Sequence, residues 1–175
     1  MNSMLKRVAV AAFAPLLLLA LSACAPTVAL TPAADATNAD CANVIVHLPQ
    51  SVAGKAIRQT DAQATSAWGD PAAIILRCGV TPPGPTTNIC YTVKGIDWVI
   101  DSSKQPVYTF TTYGRDPAVQ VVVDSTLTSG QGTIVLDELA NPVSFIAQSK
   151  THKCENVLAP PTPAPTPAPT PTPTP

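Results

Sequence analysis

The stretch Val107-Tyr108-Thr109-Phe110-Thr111-Thr112-Tyr113, then Gly114-Arg115-Asp116-Pro117, then Ala118-Val119-Gln120-Val121-Val122-Val123-Asp124 carries the clearest structural signal in the chain. Both outer runs are β-branched and aromatic, and the residues between them are turn formers, so two strands and a turn are predicted. Upstream, Ile89 to Ile100 has the same character, with a split at Gly95 and Trp98 in its second half. Ala73 to Gly79 reads as a buried strand. Val44-Ile45-Val46-His47-Leu48 reads as a short strand stopped by Pro49. Gln50 to Gln59 is assigned to a helix, with Ser51 as N-cap and Val52, Ala56 and Ile57 near helical spacing, although Gly54 weakens it. After the loop Ser125–Gly132, the residues Leu136, Leu139, Ala140, Val143 and Ile146-Ala147 repeat at helical spacing, and Pro142 must kink or divide that helix. The order strand, helix, four or five strands, helix predicts an α+β domain. Its mainly antiparallel sheet has five to six strands, with two helices on one face and disulfides as staples.

Composition sets the limits of that domain. Cys41 to Glu155 holds both Trp, all three Tyr and every Phe except Phe13. Residues 24–40 are rich in Ala, Thr, Pro and Asn and have too few large apolar side chains to offset the entropy of ordering, so they read as a disordered spacer. Residues 156–175 form a Pro/Thr-rich tail in which Pro alternates with Thr or Ala from Ala159 onward. Proline fixes φ and removes a donor, which predicts a polyproline II rod of roughly 50 Å at about 3.1 Å per residue. Such a tail serves as a stiff spacer. Its regularly spaced Thr hydroxyls also suit O-glycosylation.

The N-terminus reads as an export signal spanning residues 1–23. Lys6 and Arg7 precede an apolar run from Val8 to Leu21, and Leu21-Ser22-Ala23-Cys24 ends it. A spanning helix needs roughly 20 apolar residues, and this run is shorter and contains Pro15. The last four residues resemble a lipobox, which implies diacylglycerol on the Cys24 sulfur after cleavage. A lipid anchor of that kind, including palmitate-like chains, would hold the protein on the outer face of the cytoplasmic membrane. Loss of residues 1–23 leaves eight basic and eleven acidic side chains, a formal charge of −3. That balance gives no basic footprint for nucleic acid.

Cys41, Cys78, Cys90 and Cys154 remain, an even set that predicts two disulfides in an oxidising compartment. Zinc sites bring cysteines in close pairs, and here the nearest spacing is twelve, so no metal is expected. Three connectivities are open. Position favours Cys78–Cys90 across the loop Thr81-Pro82-Pro83-Gly84-Pro85, and Cys41–Cys154 across the ends of the domain.

Catalytic motifs are absent from the sequence: no nucleophile elbow, no His-Glu-x-x-His, no phosphate loop and no dinucleotide fingerprint. No cofactor and no catalytic residue is therefore assigned. His47 and His152 are the only histidines, and an envelope hydrolase built on either is the enzymatic alternative. One local echo stands out. Trp68-Gly69-Asp70-Pro71 and Tyr113-Gly114-Arg115-Asp116-Pro117 both run aromatic, glycine, aspartate, proline before a strand. They are two similar turns by chemistry. If they converged at one end of the sheet, Trp68, Asp70, Tyr113 and Arg115 would form a ligand site for an anionic or sugar-like group.

Ala67-Trp68-Gly69-Asp70-Pro71, Leu76-Arg77-Cys78-Gly79-Val80, Cys90, Trp98 and Thr112-Tyr113-Gly114-Arg115 together resemble an actinobacterial lipoprotein family that carries a domain of unknown function. The resemblance covers approximately Cys41 to Cys154 and leaves out the Pro-Thr tail. It implies a small lipid-anchored envelope protein with no assigned activity.

Taken together, these features predict a lipid-anchored extracytoplasmic protein whose domain is a non-enzymatic binding or accessory module. Its expected partners are the membrane, through the lipid, and an envelope protein or cell-wall ligand. The third alternative is a structural spacer with a glycosylated stalk.

Overall fold

The computed structural model describes residues 26–154, so Cys24, the expected export signal and the Pro-Thr tail lie outside the described residues. The described chain folds as α1 (Ala39–Val46), β1 (Ser51–Val52), β2 (Lys55–Arg58), β3 (Thr65–Trp68), β4 (Ile74–Val80), β5 (Cys90–Val93), β6 (Ile96–Lys104), β7 (Val107–Thr112), β8 (Ala118–Asp124) and α2 (Gly132–Val143). All eight strands form one antiparallel sheet in the order β1-β2-β3-β4-β8-β7-β6-β5. The sheet is larger than the five to six strands expected, because short, partly polar strands carry little periodic signal.

The two helices pack on each other and on the sheet, α1 on β4 and α2 on β1 and β5. The core lies beneath them. Trp68, Ile74, Leu76, Trp98, Phe110, Val121 and Val123 from the sheet meet Val44, Leu139 and Val143 from the helices. Alternation along each strand sends these side chains to one face. The clearest sequence signals hold in β7 and β8, which fill the runs quoted first, whereas α2 is shorter than its repeat: it ends at Val143, just after Pro142, and Ile146 and Ala147 lie beyond it.

Two elements exchange type. The Val44–Leu48 strand is instead the end of α1 and its C-cap turn. Cys41, Val44 and Leu48 recur at a helical interval on its buried side, while Val46 is 74% exposed. Asn38 caps this helix, its Oδ1 accepting from the Asp40 amide at 3.0 Å. Here capping and burial override the β preference of Val and Ile. The helix assigned to Gln50–Gln59 is the β1–β2 hairpin. Ala53 and Gly54 both take positive φ, 48° and 71°, the two-residue turn that suits strand twist. Lys94-Gly95 repeats that device between β5 and β6, at the split read from Gly95.

The disulfides form, with a different pairing. Cys41 bonds Cys78 and Cys90 bonds Cys154, each with Cα atoms 5.5 Å apart. The expected Cys78–Cys90 bond is ruled out by the sheet order. The Pro/Gly loop 81–89 crosses over β8, β7 and β6, and four strand spacings amount to about 19 Å. Cys41 stays on the helix side of β4, which leaves Cys154 for Cys90.

The segment read as spacer is also corrected over residues 26–40. Val28 bridges Thr60, the Asp35 amide donates to Gly79 O at 3.0 Å, and Ala36 is buried. Its backbone groups tie it down where its side chains could not.

Candidate functional site

The residues of the two echoing turns do not converge. Registers place Trp68 level with Ile74, Val123 and Tyr108, whereas Tyr113 lies five residues further along β7. That is about 17 Å along the strands, with three strand spacings, about 14 Å, between them. The turns are alike locally: Gly69 and Gly114 both have positive φ, and both Asp–Pro bonds are cis.

Each of these residues has a structural task. Trp68 is fully buried and its Nε1 donates to Pro49 O at 3.1 Å. Asp70 is exposed and pairs with Arg58, Oδ1 to Nη1 2.9 Å. Tyr113 packs edge-on against His152. Arg115 is 5% exposed, with Nη1 donating to Ile146 O and Nη2 to Gly95 O at 3.4 Å. Desolvation lowers its pKa from the ordinary value, partly offset by the negative field of Asp97. Arg115 thus clamps the chain after α2 to the β5–β6 turn.

A groove lies elsewhere. It encloses about 780 Å³ between the first turns of α2 and the sheet face of β5, β6 and β7. Ile89 and Tyr91 form one wall, Ile100, Tyr108 and Phe110 the floor, and Leu136 the helix side. The Tyr108 and Phe110 rings are stacked at 6.5 Å. Polar contacts come from Ser102, Gln105, Ser125 and Thr133, and no charged side chain lines it. Its volume falls in the range of small-molecule sites, and its chemistry suits apolar or ring-bearing groups. Tyr91 is 54% exposed and Ile89 60%, an apolar pair at the open edge of the sheet.

The family model described as "Protein of unknown function (DUF3515)" matches residues 3–165. The chain belongs to that family. No curated protein and no solved structure matches it.

In this DUF3515 protein neither histidine lines the groove. His47 stacks on Phe145 at 4.1 Å and its Nδ1 lies 2.7 Å from Asn43 O. His152 is exposed, its Nδ1 3.1 Å from Thr151 Oγ1 and 3.4 Å from Ser149 Oγ. That hydroxyl cluster is on the surface. Among the described residues no group of three or more His, Cys, Asp or Glu is placed to hold a metal ion.

Three residues of note escaped the sequence reading. Phe110 and Tyr108 alternate with Thr in β7, and nothing in that run distinguishes a groove floor from a sealed core. Asp97 was equally silent. It is buried on β6, where Oδ1 accepts from Thr92 Oγ1 at 2.6 Å and Oδ2 from the Cys154 amide at 3.0 Å. It fastens the C-terminal segment across the β5–β6 hairpin.

Proposed function

We propose that this protein is exported, anchored by lipid on Cys24 at the outer face of the cytoplasmic membrane, and acts there as a non-enzymatic binding module. The groove beneath α2 is its binding site, and the ligand class is an uncharged apolar or ring-bearing molecule. The uncharged, aromatic-floored groove carries this reading. The chain enters beside β2, where Pro26 O accepts from Arg58 Nη2 at 2.6 Å, and the groove opens at β5. Counted along the sheet, the strand beside the tether and the strand at the groove mouth are six positions apart.

N-phenyl-1-naphthylamine, a neutral apolar probe, tests the groove. Thr133→Trp places a large ring over the opening and is expected to weaken probe binding at least tenfold. Thr109→Trp, on the other face of β7, is expected to leave binding unchanged. Equal binding by all three chains would reject the groove as the site. Cys24→Ala tests the anchor separately: a chain of mature size that still partitions with membranes would reject lipidation.

A further inference from the structure

The sheet ends at β5, and this edge is bare among the described residues. Ile100 N donates to Ile89 O at 2.9 Å, so Ile89, and by alternation Tyr91 and Val93, turn their backbone groups toward β6. Cys90 and Thr92 therefore turn their amides and carbonyls outward. An edge with free groups and flanking apolar side chains is a template for another strand.

The chain itself is led to this edge. After α2 the Ser149 amide donates to Gly114 O at 2.6 Å beyond the end of β7, the Cys154 amide donates to Asp97 on β6, and Cys154 is bonded to Cys90 on β5. The last described residues thus cross the hairpin from β7 to β5. The sequence then runs into the Pro-Thr tail, where every odd-numbered residue from 161 to 175 is Pro and every even-numbered one is Thr or Ala.

That period of two has a consequence for strand pairing. In an extended strand, alternate residues direct their backbone groups to opposite sides. All the prolines, which lack N–H, then face one side, and all the Thr and Ala amides face the other. Such a strand pairs along one side only, which is the position proline tolerates in a sheet. A polyproline II helix has three residues per turn, so the same alternation mixes Pro with Thr or Ala on each of its faces. The alternation would therefore leave a continuous row of amide donors only in a strand, not in the polyproline II rod that composition alone predicts.

We propose that the tail, within residues 161–175, pairs with β5 as a ninth, one-sided antiparallel strand through the amides of its Thr and Ala residues. In that orientation Thr or Ala stands opposite Cys90 and Thr92 on the polar side, and the proline rings stand beside Tyr91 and Ile89 on the groove side. The parallel orientation would reverse this sorting and set hydroxyls against Tyr91. Seven residues from Cys154 to Pro161 span up to about 23 Å, longer than the roughly 13 Å of β5, so the tail can turn and run back along it. The few bonds available suffice because the partner is on the same chain at high effective concentration. The proline side then carries no amide for further pairing. The pairing does not depend on what the groove binds.

Amide hydrogen exchange at Cys90 and Thr92, measured by NMR on the mature chain, tests it. Three chains are compared: the natural one, one ending at Leu158, and one in which the even-numbered residues 162–174 are all replaced by Pro. The last retains length and extended character but has no amide donors. Exchange at Cys90 and Thr92 is expected to be at least tenfold slower in the natural chain than in the other two, with Tyr91 equal in all three. Equal exchange in the natural and shortened chains would overturn the proposal. Full protection by the all-proline tail would replace it with polyproline II docking. Protection of the shortened chain that rises with concentration would assign the edge to a second copy.

Discussion

The two halves of the sheet are finished to different degrees. On the β1–β4 half, α1 and the segment 26–38 cover the strands, Trp68 is sealed, and the Cys41–Cys78 bond is fully buried. On the β5–β7 half, α2 leaves a groove, the edge is bare among the described residues, and the Cys90–Cys154 bond is partly exposed. A chain with one disulfide in each half shows the same covalent device serving two purposes. In the covered half it locks a helix onto the core. In the open half it holds down a crossing strap that packing alone would leave loose.

The largest test of this contrast removes each bond in turn. The loops closed span 37 and 64 residues, for which chain entropy gives about 4 kcal/mol in either case. Any difference therefore reports packing. Cys41→Ala with Cys78→Ala is expected to cost about 5 kcal/mol or more in denaturant unfolding, because two buried sulfurs leave the core as well. Cys90→Ala with Cys154→Ala is expected to cost about 4 kcal/mol or less. A mild reductant on the native protein should open Cys90–Cys154 first, as peptide mapping would show.

Glycines give the next contrast. Gly79 has φ +94°, and a Cβ there would strike the Asp35 backbone. Gly79→Ala is expected to cost about 3 kcal/mol, combining strain with displacement of the N-terminal segment. Gly95 has φ +77° with open space around it, so Gly95→Ala should lose about 1 kcal/mol. Equal losses, measured by thermal unfolding, would show that close packing of the 26–38 segment on β4 adds nothing to the cost at Gly79. Tyr91→Ala, on the exposed rim, is expected to change stability by less than about 0.5 kcal/mol.

The smallest effect concerns pH. Asp124, at the end of β8 beside the groove, accepts at Oδ1 from the Thr126 hydroxyl at 2.6 Å and from the Thr126 amide at 2.9 Å. These bonds, the hydroxyl first, hold its pKa below the ordinary carboxylate value. Its contribution is therefore complete above the unfolded value of about 3.9 and is lost as pH falls through the lower folded value. NMR titration should find the depressed value, and Asp124→Asn should flatten the acid limb of the stability curve slightly.

Much of the architecture was legible because hydrophobic period and turn chemistry agreed. β7, β8, the Gly95 turn and α2 rest on runs where both signals coincide. Val44–Leu48 and Gln50–Gln59 were misread because each sends competing signals. Val and Ile favour strands, but Asn38 and the buried side of Cys41, Val44 and Leu48 favour a helix. Ser51 and Ile57 fit a helix, but Gly54 turns the chain. The groove was illegible, since a half-open floor and a sealed core use the same Tyr and Phe residues.

By itself the sequence determined the class of fold and the number of disulfides. Those properties follow from local composition and spacing, which act before any long-range contact forms. Tertiary structure alone decided the partner of each cysteine, the separation of Trp68 from Tyr113 and the burial of Arg115. Each depends on strand order, which is set by burial of the whole core rather than by any residue within it.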